Sequence, residues 1–235
     1  MTETNNAGSQ VRPASMPRRR AAGMALIASG GVYFTTEFIA AAAWTDPPYS
    51  YTHHFISDLG VRGPATAFGQ FMYSPLAWVM NTGFFLLGFA ALAGVVLLRG
   101  LPPGRRRLVL AMAVLLAIGG AVLAFFPGSG EGTDNSATDY HGLGAFAGFL
   151  SGNVLVILLG RRSELLGLTR GLGRYLVAAG ILGLVSLAAY LVVLDSGAGI
   201  LLGLVERGVI YPFLIGFIVM GVALRKRQQR VPPAR

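Results

Sequence analysis

The chain has no cysteine, a single lysine and no polar stretch long enough to build a soluble domain. Without cysteine, disulfides, thiolate metal sites and cysteine nucleophiles are excluded. Only 12% of the 235 residues are charged, against roughly 25% in an ordinary soluble domain. There is no internal repeat, and no Gly-x-Ser-x-Gly elbow of the kind that seats a hydrolase serine. The net charge of +9 comes with no basic stretch interleaved with aromatics, so nucleic acid is not an expected partner.

What remains is apolar. Hydrophobic residues make up 54% of the chain, in six runs at about 21–43, 75–98, 108–126, 141–159, 175–194 and 200–224. At roughly 20 residues, each run matches a hydrocarbon core about 30 Å thick. The predicted fold is all-α: an integral membrane six-helix bundle spanning 21–224, flanked by a disordered tail (1–20) and a basic tail (225–235). Arg18-Arg19-Arg20 ahead of the first run imitates a signal peptide. That run exceeds the roughly 7–15 residues of a signal core and contains Glu37, so it reads as an uncleaved span.

The cations fall in alternate gaps. Seventeen of the nineteen lie before the first run, between the second and third, between the fourth and fifth, or after the sixth. The remaining gaps hold Asp46, Asp58, Glu131, Asp134, Asp139 and Asp195, with Arg62 as their one clear cation. Cytoplasmic loops collect Lys and Arg. Both termini are therefore expected inside the plasma membrane, with anionic lipid of the cytoplasmic leaflet as partner of the arginines. In the fourth run Gly144, Gly148 and Gly152 line one helix face, which suits close packing within the bundle or against another subunit.

Ionisable groups inside spans mark function or a buried pair. Glu37 lies six residues before the outer end of the first run, and Glu206 and Arg207 six and seven after the start of the sixth. At 1.5 Å per residue all three lie about 9–10 Å down, with Asn81 at a similar depth. One reading is a structural ion pair, Arg207 with Glu37 or Glu206. The other is a substrate-binding layer of Glu37, Asn81, Glu206 and Arg207, in which one unpaired carboxylate handles protons or a polar headgroup.

All three histidines fall in the outer gaps. His53, His54, Asp58, Asp139 and His141 would supply ligands for a divalent metal, whose bound water is a nucleophile near neutral pH. Alternatively, Ser57, Asp58 and His141 would form a catalytic group with histidine as general base. The structural readings are that Asp139 caps the fourth helix, Asp58 holds the turn through Leu59-Gly60, and the histidines lie at the surface or sense pH.

The six-span plan, Ile56-Ser57-Asp58-Leu59-Gly60 after the first span, His141 opening the fourth and Glu206-Arg207 early in the sixth together resemble a known family. It is the group of bacterial and archaeal membrane proteins called domain of unknown function 998, and the resemblance covers about residues 21–224. It singles out Ser57, Asp58, His141, Glu206 and Arg207. That family resembles, distantly, eukaryotic membrane proteins of lipid-anchor remodelling, which implies lipid chemistry. The expected function is binding or modification of a lipid headgroup at the outer leaflet. The alternatives are a non-catalytic protein with a structural Glu/Arg network, or a proton-coupled transporter.

Overall fold

A computed structural model describes residues 16–67, 69–128, 139–196 and 201–226. Six helices follow in chain order: α1 (Met16–Ala43), α2 (Ala77–Leu97), α3 (Pro103–Phe125), α4 (Tyr140–Gly160), α5 (Arg170–Asp195) and α6 (Leu202–Lys226). Each is long and apolar enough to cross a membrane. Three of them start five residues earlier than their apolar runs, because hydropathy marks the hydrocarbon stretch while helical hydrogen bonding continues past it. Pro17 and Pro103 suit such first turns, where a missing N–H costs nothing. Residues 1–15 of the expected tail, most of the acidic 128–140 connection (129–138), the turn at 197–200 and 227–235 of the basic tail lie outside the described residues.

Each helix packs against its neighbours in sequence, α6 closes the ring against α1, and α4 also reaches α6 across the centre. The alternation places Arg18–Arg20, Arg99, Arg105–Arg107, Arg161, Arg162, Arg170, Arg174, Arg225 and Lys226 at one end, here the arginine end. Between apolar helices in lipid, close backbone approach replaces the hydrophobic effect as the source of association. A Cβ on Gly119 of α3 would sit 2.8 Å from both the Gly144 carbonyl oxygen and the Gly148 nitrogen. One on Gly152 would meet the Phe213 ring of α6 at 2.9 Å. Two glycines of the α4 face are thus used inside the bundle.

The opposite end is closed by residues 44–76, a cap with structure of its own. A 3-10 turn spans Ser57–Gly60. Strands β1 (Ala65–Ala67) and β2 (Gln70–Met72) pair antiparallel, Thr66 opposite Phe71. Trp44, Ile56 and Leu59 are buried and anchor the cap onto the bundle. The rings of Trp44, Tyr49 and His54 cluster in mutual contact, with centroids 5.1–5.3 Å apart.

Candidate functional site

The polar layer lies where cap and bundle meet, and Arg207 is its hub. Its Nε donates to Glu37 Oε1 at 3.1 Å, and its Nη2 lies 2.9 Å from the same oxygen in an ion pair. Nη1 donates to the carbonyls of Tyr51 at 2.7 Å and Gly203 at 2.9 Å, and Nη2 to the Tyr49 hydroxyl oxygen at 2.7 Å. All three guanidinium nitrogens therefore donate hydrogen bonds. The Tyr51 ring also stacks beneath it, 4.7 Å from Cζ to the ring centroid. Tyr49 passes the connection on, its hydroxyl donating to the Phe55 carbonyl at 2.9 Å. Glu37 is equally well supplied, since the Tyr211 hydroxyl donates to its carboxylate, 2.9 and 3.0 Å from the two oxygens. The predicted partnership of Arg207 with a carboxylate is therefore met by Glu37.

Glu206 is held differently. It forms no ion pair with Arg207; its Oε2 instead accepts the Ile56 N–H at 2.5 Å. Successive helix positions point about 100° apart, so Arg207 reaches Glu37 of α1 and Tyr49 and Tyr51 of the cap, while Glu206 reaches Ile56. On the neighbouring amide, the Phe55 N–H donates to Asp58 Oδ2 at 2.9 Å. Asp58 and Glu206, both buried, thus occupy consecutive N–H groups of one turn, and no cation is bonded to either carboxylate among the described residues. Burial lifts the Asp58 carboxyl to about 7, against the opposing pull of the Phe55 N–H and of Arg207. Asn81 completes the tether, its Nδ2 donating to the Gly60 carbonyl at 3.0 Å.

The five residues expected as metal ligands are not gathered. Among the described residues no three His, Asp or Glu side chains converge on a metal-sized site. His53 is exposed and its Nδ1 lies 2.8 Å from the Thr52 hydroxyl. His54 turns the other way, accepting the Ser50 N–H at 2.8 Å. Burial, His53 and Arg207 together lower the His54 pKa, which keeps the ring neutral. Asp139 accepts the Gly142 N–H at 2.8 Å as the cap of α4, the structural role considered for it. His141 Nδ1 bonds the Phe126 carbonyl at 3.0 Å. The physical reason is that His53, His54, Asp58 and Asp139 each satisfy a turn of their own segment, while His141 is taken up by the end of α3. The catalytic group of Ser57, Asp58 and His141 is likewise without a mutual hydrogen bond, and the Ser57 hydroxyl has no side-chain partner among the described residues.

Several tyrosines escaped the sequence reading. Tyr49, Tyr51 and Tyr211 all touch the Arg207–Glu37 pair. Tyr211 was findable, being four residues from Arg207 and so on the same face of α6. Tyr33, one turn from Glu37 on α1, is fully buried, and its hydroxyl has no hydrogen-bond partner among the described residues.

Six membrane-crossing helices closed by a polar-anchored cap define a multi-pass membrane protein. The model of the family described as Protein of unknown function (DUF998) matches residues 26–223, and the chain belongs to that family. No curated protein and no solved structure matches the chain.

Proposed function

We propose that the protein binds or modifies the polar headgroup of a lipid at the outer leaflet of the plasma membrane, with the arginine end cytoplasmic and the cap outside. The orientation rests on the concentration of Lys and Arg at one end. The observation that carries the functional reading is the pair Asp58 and Glu206: two buried carboxylates on neighbouring amides, with no cation bonded to either. Like charges so placed resist ionising together. An Asp58 carboxyl titrating at about 7 suits it to acid–base work at neutral pH.

Arg207 takes no headgroup in this reading, because all three of its nitrogens already donate within the protein. The same saturation favours a second reading, in which the whole layer fastens the cap and does no chemistry. The two are separated by headgroup profiles of lipids from cells lacking the protein, complemented with wild type, Asp58→Asn or Glu206→Gln. Lipid-headgroup action predicts a profile restored by wild type and by neither variant, although both variants reach the membrane. Identical profiles in all strains, including the one lacking the protein, would leave the structural reading.

A further inference from the structure

The arginine end carries a second constellation, unrelated to the cap. A cavity of about 790 Å³ opens between the α4–α5 connection and the first turns of α5, lined by Arg161, Arg162, Arg170 and Arg174. Its single carboxylate, Glu164, is bonded by Arg170. The side chains of Arg161, Arg162 and Arg174 make no hydrogen bond or ion pair among the described residues, and the Arg162 Nε is buried without a partner. Three positive charges therefore remain uncompensated around one groove.

The groove is built rather than draped. Leu168 N–H donates to the Ser163 carbonyl at 2.7 Å, and Gly167 N–H to the Glu164 carbonyl at 2.8 Å. Thr169 caps α5 by accepting the Leu172 N–H at 3.2 Å, and Arg19 of α1 donates to the Gly167 carbonyl at 3.3 Å. Below the arginines the lining turns apolar. Val177, Ala178 and Ile181 follow Arg174 at helical spacing on one face of α5, and Ile181 is 51% exposed. A cationic mouth thus sits directly above an apolar stripe that faces the hydrocarbon.

We propose that this groove is a binding site for an anionic phospholipid, its phosphate held by Arg161, Arg162 and Arg174 and one acyl chain lying along Val177–Ile181. Arginine suits the phosphate because its planar fork donates two parallel hydrogen bonds to a pair of oxygens. Free phosphate would satisfy the arginines and leave the stripe unused, whereas a phospholipid matches both halves.

The test is lipid binding to the purified full chain in detergent, followed by native mass spectrometry with phosphatidylglycerol and with phosphatidylcholine. The variant Arg161→Gln/Arg174→Gln is compared with Arg105→Gln/Arg107→Gln, which removes the same charge from exposed positions at the same end. Phosphatidylglycerol affinity is expected to fall about tenfold or more in the groove variant and less than about twofold in the control. Should the double variant not purify, each single groove substitution carries a loss of about threefold. Equal losses in groove and control variants would reduce the effect to diffuse surface attraction and overturn the site. So would equal affinity for phosphatidylcholine, or displacement of the lipid by inorganic phosphate.

Discussion

Glu37 and Glu206 lie at similar depth and are both buried, yet their surroundings differ sharply. Glu37 receives a hydrogen bond and an ion pair from a guanidinium and a further bond from a tyrosine hydroxyl. Glu206 receives one backbone N–H and shares its turn with a second carboxylate, Asp58. A buried charge is tolerable when paired and bonded, and costly otherwise. The first arrangement therefore fastens the cap, while the second keeps a proton-sensitive pair beneath it. One layer holds both a clamp and a titratable element, and Arg207 serves only the clamp.

Breaking the clamp has the largest expected effect. Arg207→Ala strands Glu37 as a buried, unpaired carboxylate and frees the Tyr51 carbonyl. The expected loss is about 3–5 kcal/mol, read as a marked fall in melting temperature in detergent. An unchanged melting temperature would show that the cap is held by its apolar contacts alone.

The titratable element responds with the opposite sign. Folded Asp58 keeps its proton up to about pH 7, whereas its ordinary value is 3.8, so the folded state binds more protons between those limits. Its contribution to stability is complete below the lower limit and is lost as pH rises through the upper one. Asp58→Asn keeps an oxygen acceptor for the Phe55 N–H and removes the charge. It is expected to flatten the fall in stability between about pH 4 and 7 and to stabilise at pH 8 by at most about 4 kcal/mol. Melting temperatures across this range check it; a variant as pH-dependent as wild type would assign the slope elsewhere. His54 works in the other direction, since its lowered pKa makes acid below about 6.5 unfavourable to the cap.

Much of the clamp was legible in the sequence. Helical rise alone set Glu37 and Arg207 at one depth, and apolar runs located all six helices. What escaped depends on how residues 44–56 fold back over the bundle. The carbonyls of Tyr51 and His54 reach Arg207 through a loop whose path no periodicity encodes. The neighbours His53 and His54 look interchangeable as letters, but one faces solvent and the other stacks on Tyr49. Strands of three residues, such as Ala65–Ala67, are too short for an alternating pattern to register. Glu206 and Arg207 read as one motif, yet adjacent helix positions face different partners.

Melting temperatures of Glu37→Gln and Glu206→Gln, measured side by side in detergent at pH 8, test the contrast most directly. Each substitution removes a carboxylate charge at nearly constant shape. The account predicts a large drop for Glu37→Gln, which leaves Arg207 buried without its counter-charge, and an unchanged or raised value for Glu206→Gln, whose amide oxygen still accepts the Ile56 N–H. Comparable losses in the two variants would contradict the division into clamp and titratable pair.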